Sequence, residues 1–131
     1  MAERKKLLIV DDEEDLLFMV SFAAEATGRF EVETARDGEE GLAKARTFRP
    51  DAVILDGIMP RMDGYELCRR LREDPKTRRA AVVMLSAGDP GRSEASAREA
   101  GADRFMRKPY EQAELMRVVL SAVGGAPARR A

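Results

Sequence analysis

Residues 52–60 read AVILDGIMP: four apolar residues run into Asp56 and then Gly57. A run this apolar fits a strand covered on both faces, as in a parallel sheet sandwiched between helices. Its stop on a carboxylate admits two readings. Asp56 either caps the following turn or does chemistry, and taken alone it favours the cap. The rest of the chain decides between them.

Working outward, KLLIV (6–10), FEVET (30–34), AVVML (81–85) and RFM (104–106) complete a set of five strand-like runs. Longer helix-like segments separate them. Asp37 and Asp63 each stand three residues before a glutamate, the capping-box spacing. Asp89-Pro90 offers a further helix start, and Gly28 and Gly101 fall where helices should end. Strand–helix alternation repeated five times predicts a doubly wound α/β domain with right-handed crossovers. The 131 residues suit one domain, expected over residues 1–123, with GGAPARRA (124–131) as a frayed tail.

Composition narrows the chemistry. The chain has no histidine and one cysteine, so a His/Cys zinc site and a Ser-His-Asp triad are both impossible. Any metal must be a hard ion held by oxygen. Cys68 alone forms no internal disulfide and suits a reducing cytoplasm, where the chain is expected. Arg4, Lys5 and Lys6 precede only four apolar residues, too few for a signal peptide, and nothing reaches the length of a membrane span. A net charge of −1 gives no general pull toward nucleic acid or anionic membrane, and neither is expected as a direct partner.

In open parallel sheets, ligands bind beyond the carboxyl ends of the strands. Asp11 and Asp12 follow the first strand, Asp56 the third, Ser86 the fourth, and Arg107, Lys108 and Pro109 the fifth. Three carboxylates, a hydroxyl and an ammonium therefore converge on one edge. Clustered carboxylates repel unless a hard divalent cation neutralises them. A lysine opposite that cation, with a small hydroxyl between, completes a cradle for a phosphoryl group. Phosphoryl transfer asks for little beyond positioning and charge neutralisation, and one carboxylate can serve as nucleophile.

The ordered set LLIVDDEED, AVILDGIMPRMDGYE, VVMLSA and EAGADRFMRKPY resembles the receiver domain of two-component response regulators, from about Lys6 to Val123. The resemblance implies a flavodoxin-like five-stranded sheet in the order 2-1-3-4-5 with five helices. It implies Asp56 as phosphoacceptor, and Mg²⁺ (or Mn²⁺) held by Asp12, by Asp11 mainly through water, by Asp56 and by the backbone carbonyl of Ile58. Ser86 matches the hydroxyl and Lys108 the ammonium that engage the phosphoryl group. Phe105 matches the aromatic switch, and Lys108–Pro109 should be cis. A histidine kinase or histidine phosphotransferase is the implied donor. The surface of the fourth helix, fifth strand and fifth helix would control a protein target, with the chain a monomer or a phosphorylation-dependent dimer. Such a domain promotes only its own phosphorylation and hydrolysis. A receiver excised from a regulator with a DNA-binding, cyclase or kinase module is the alternative.

Several positions depart from the family's pattern. Ile58 and Gly88 occupy the two positions that modulate phosphate lifetime, and neither side chain can orient water, which predicts slow self-dephosphorylation. In the first helix, Leu16, Met19, Val20, Ala23 and Ala24 make a sufficient core face. That leaves Leu17, Phe18 and Phe22 as a candidate docking patch for the kinase or phosphotransferase. The fourth helix has only Ala95, Ala97 and Ala100 to bury, so it should be weakly held. Cys68 reads as core, and the cluster Arg69, Arg70, Arg72, Lys76, Arg78 and Arg79 as a solvated surface. Haloacid-dehalogenase chemistry needs a second Asp two residues after its nucleophile, and Ile58 and Glu13 stand there instead. A dinucleotide fold lacks its Gly-rich turn here, and P-loop chemistry its Gly-Lys-Ser/Thr.

Overall fold

The computed structural model describes residues 4–87 and 93–125. Five strands alternate with five helices: β1 (Lys5–Val10), α1 (Glu14–Ala26), β2 (Phe30–Ala35), α2 (Gly38–Phe48), β3 (Ala52–Asp56), α3 (Gly64–Glu73), β4 (Ala81–Ser86), α4 (Glu94–Ala100), β5 (Arg104–Arg107) and α5 (Gln112–Gly125). The strands form one parallel sheet in the order β2-β1-β3-β4-β5, the order expected.

Side-chain alternation divides the core into two layers. Leu8, Val10, Val53, Leu55, Val82 and Met84 face α2, α3 and α4. Leu7, Ile9, Ile54, Val83 and Leu85 face α1 and α5. β1 ends at Val10 as expected, while β2, β3, β4 and β5 each extend one residue beyond their expected C-terminal ends, so Asp56 and Ser86 are the last residues of strands rather than the first of loops. The ladders explain this: Asp56 pairs with Leu85 and Ser86 with Arg107. The Gly57 N–H then donates to the Leu85 carbonyl at 2.8 Å, locking the ends of β3 and β4 together.

The expected caps at Asp37 and Asp63 accept hydrogen bonds from the Glu40 and Glu66 N–H groups at 2.8 and 2.9 Å. The reciprocal half of the box differs. Glu40 accepts from the Arg36 N–H, one residue before the cap, and Glu66 pairs with Arg70. Gly28 and Gly101 sit at helix ends with φ of 72° and 110°. Asp89 and Pro90 lie outside the described residues; the N-cap of α4 is Ser93, whose hydroxyl accepts from the Ser96 N–H. Helix α5 continues through Gly124 and Gly125, two residues past the expected domain end; 126–131 lie outside the described residues. None of the described helices is long and apolar enough to cross a membrane.

Three corrections come from packing. Leu17, expected on the exposed patch of α1, is buried at 6% exposure, while Met19, expected in the core, is 54% exposed. The periodicity allows either assignment, and the contacts of α1 with β2 and α5 select one rotation. Arg72 leaves the solvated basic cluster. Its guanidinium donates to the carbonyls of Arg78, Ala80 and Gly101 and, at 3.0 Å, to the fully buried Asp103, which also accepts from the Val82 N–H. Ala95 of α4 is exposed, so the helix buries only Ala97 and Ala100. Cys68 is buried as expected, and burial pushes its thiol up to about 11.

Candidate functional site

The C-terminal ends of β1 and β3 flank the point where the strand order reverses, which is where a crevice opens in this topology. Asp11 and Asp12 leave β1 there, and Asp56 ends β3 beside them. One carboxylate oxygen of each lies within 4.8 Å of the others. Asp11 and Asp56 are buried, while Asp12 faces solvent.

Local bonds aim these groups. Asp11 Oδ1 accepts from the Glu13 N–H at 2.8 Å, turning Oδ2 inward, where it has no hydrogen-bond partner. Asp56 Oδ1 accepts from the Ile58 N–H and from Lys108 Nζ, both at 3.3 Å. Lys108 Nζ also stands 4.0 Å from Asp11 Oδ2, so one ammonium faces two buried carboxylates. The Lys108–Pro109 peptide is cis, as expected, and the Lys108 N–H donates to the Ser86 carbonyl at 2.7 Å. Gly64 opens α3 against the site: a Cβ there would overlap the backbone carbonyl oxygen of Asp56.

The charges are unbalanced. Burial pushes the Asp11 carboxyl up to about 6, with the neighbouring Asp56 and Asp12 adding to the rise against the Glu13 N–H and Lys108. Burial also raises Asp56, opposed first by Lys108 and then by the Ile58 N–H. Tyr110, beyond the cis bond, is raised to about 12 by burial and then by Asp11 and Asp56. The sequence singled out no role for Tyr110, since nothing local marks a tyrosine that feels two carboxylates from other strands. A buried carboxylate oxygen without a hydrogen bond, in a three-carboxylate cluster, fits a hard divalent cation.

Ser86 is fully buried at the end of β4. Phe105 is partly buried on the α2–α3–α4 side of the sheet. Ile58 projects with 45% exposure, and its counterpart Gly88 lies outside the described residues. On α1, Phe18 and Phe22 are 71% and 66% exposed, with ring centroids 6.4 Å apart. Asp11, Asp12, Asp56 and Lys108 thus meet at one edge, whereas Leu17 is separated from Phe18 and Phe22.

A family model described as the response regulator receiver domain matches residues 7–120. The chain belongs to that family. This receiver domain is 40% identical over 111 residues to the alkaline phosphatase synthesis transcriptional regulatory protein PhoP of Bacillus subtilis, a match covering 85% of this chain and 45% of the relative. The chain spans about half the length of the curated relatives it matches first. Among solved structures, a putative response regulator from Chloroflexus aurantiacus superposes with a TM-score of 0.86 at 35% identity, covering 94% of this chain and 100% of that one. The receiver domain of sensor histidine kinase PA1611 from Pseudomonas aeruginosa PAO1 superposes with a TM-score of 0.84 at 25% identity, covering 94% and 100%. That structure carries a magnesium ion coordinated in its active site cleft. Receiver domains of this family act in two-component signalling with histidine kinases and output partners; it is not a classical enzyme family.

Proposed function

We propose that Asp56 accepts the phosphoryl group. The observation that carries this is its buried carboxylate, held by Lys108 at 3.3 Å beside Asp11 and Asp12 at the reversal of strand order. Oδ1 takes both protein contacts, so Oδ2 attacks phosphorus while the P–N bond of a phosphohistidine breaks and its electron pair returns to the imidazole. An acyl phosphate on Asp56 and a free histidine on the donor result. Lys108 stays within reach of the transferred oxygens, and the Ser86 hydroxyl closes the cradle from β4.

Asp11, Asp12, Asp56 and the Ile58 backbone carbonyl would hold Mg²⁺, with Mn²⁺ the other ion this oxygen set admits. When bound, it supplies positive charge against three carboxylates and the phosphoryl oxygens. The donor is a histidine kinase or histidine phosphotransferase, docking on α1 beside Phe18 and Phe22, with Met19 replacing Leu17 in the exposed patch. Drawing Ser86 toward the phosphate lets Phe105 turn inward. The α4–β5–α5 surface then shifts between two packings and controls a protein target. The domain, continued through the end of α5 at Gly125, forms the signalling unit, which works in the cytoplasm with no nucleic-acid or membrane contact of its own, as a monomer or a phosphorylation-dependent dimer. A full regulator carrying a DNA-binding, cyclase or kinase module is the second reading, favoured by the half-length coverage of PhoP.

Incubation with acetyl phosphate and Mg²⁺ should give one hydroxylamine-labile phosphate per chain. Asp56→Asn should give none, and a histidine kinase should load the same residue. Label persisting in Asp56→Asn refutes the assignment.

A further inference from the structure

At the pole opposite the carboxylates, a cavity of about 380 Å³ opens between the N-terminal ends of the central strands and the last turns of α5. Four cations, Lys5, Arg49, Lys76 and Arg79, line it against one acid, Asp51. Asp51 Oδ2 accepts from the Lys6 N–H at 2.8 Å, which fixes the carboxylate while leaving three of the four positive charges without an acid in the lining. Among the described residues, the side chains of Lys5, Arg49 and Lys76 form no ion pair within 4 Å. The nearby carboxylate of Asp74 is held by Arg46 at 2.7 Å and by the Lys76 N–H at 2.9 Å, and it also feels the Lys76 charge across a distance longer than an ion pair.

Arg49 adds a second, independent observation. It ends α2 in the left-handed conformation, φ 56° and ψ 59°, which favours glycine or asparagine. A strained backbone thus places a guanidinium on the rim of the cavity, and strain of this kind points toward function. Pro50 and Pro75 stiffen the wall, while Ala80, Ala81 and Val123 add an apolar floor.

We propose that this cavity binds an oligophosphate anion. Its volume is that of a small-molecule site rather than an extended groove for a polymer. Clustered guanidinium and ammonium groups match phosphate oxygens in charge and hydrogen-bond geometry. Either free pyrophosphate or the phosphates of a nucleotide supply this chemistry, and the apolar floor accommodates a base in the second case. The competing account is that these cations only offset the negative ends of α2 and α5, which finish at this pole.

The test titrates sodium pyrophosphate into the full ¹⁵N-labelled chain in EDTA. The expected result is saturable amide shifts at Arg49, Asp51 and residues 76–81 that sodium chloride at matched ionic strength does not reproduce. Arg49→Gly relieves the left-handed strain, so it should melt no lower than the parent yet bind pyrophosphate at least about tenfold more weakly. Lys76→Gln should weaken binding in the same direction. Adenosine diphosphate binding tighter than pyrophosphate assigns the floor to a base, and equal affinities assign the site to the phosphates alone. Shifts that fail to saturate, that sodium chloride reproduces, or that survive Arg49→Gly with unchanged affinity overturn the proposal.

Discussion

Asp11→Asn should make the metal-free protein more stable at neutral pH, although it removes a charged carboxylate from the heart of the site. Burial raises the Asp11 carboxyl from 3.8 to about 6 in the folded chain. Below pH 3.8 both states hold the proton and Asp11 costs nothing. Between 3.8 and about 6 the unfolded chain has released a proton that the folded chain retains, so stability falls as pH rises. Above that window the full cost applies. At about 1.4 kcal/mol per pKa unit, the cost reaches roughly 3 kcal/mol. Asparagine keeps the oxygen that accepts from the Glu13 N–H and removes the repulsion from Asp56 and Asp12, but it forfeits attraction to Lys108. The net gain should be about 1–3 kcal/mol, or on the order of 3–10 °C in Tm for a chain of this length. The assay is thermal and urea melting of both proteins in EDTA across pH 4–8. The advantage of the variant should grow from pH 4 upward and reach its full size above pH 6. Mg²⁺ should raise the Tm of the parent and raise that of the variant far less. A variant that melts below the parent at neutral pH in EDTA, or an advantage independent of pH, refutes the reasoning.

Three further outcomes follow from named contacts. Ile58→Asn places a polar group beside the phosphorylated carboxylate and should speed hydrolysis of the acyl phosphate roughly tenfold, the equivalent of one oriented hydrogen bond to water; loss of label from the parent within seconds in Mg²⁺ contradicts the slow decay expected of Ile58. Arg72→Met strands the buried Asp103 carboxylate and should cost about 3–5 kcal/mol in urea unfolding, whereas Arg72→Met with Asp103→Asn should cost less; equal losses would show that the ion pair is not the source. Phe18→Ser with Phe22→Ser should leave Tm within a few degrees of the parent, because both rings are exposed, while slowing phosphotransfer from a kinase and sparing the reaction with acetyl phosphate; equal slowing in both assays argues against docking on α1.

Much of this protein is legible along the chain because the signals are local or repeat with a fixed period. The apolar runs mark five strands, and the Asp37 and Asp63 caps act over three residues, so both could be read without knowing what packs on them. The convergence of Asp11, Asp12, Asp56, Ser86 and Lys108 on one edge follows from parallel topology, since every strand of such a sheet ends on the same side. The tertiary structure decided what depends on distant partners. Leu17 and Met19 exchange places because the rotation of α1 is set by its packing on β2 and α5, and a helical period alone permits both. Arg72 and Asp103 stand 31 residues apart, and neither carries a local sign of the other. The same holds for the charge of the site. A row of aspartates in a sequence says that carboxylates are present; only burial against other strands makes Asp11 hold its proton to about pH 6, because desolvation is a property of the assembled fold.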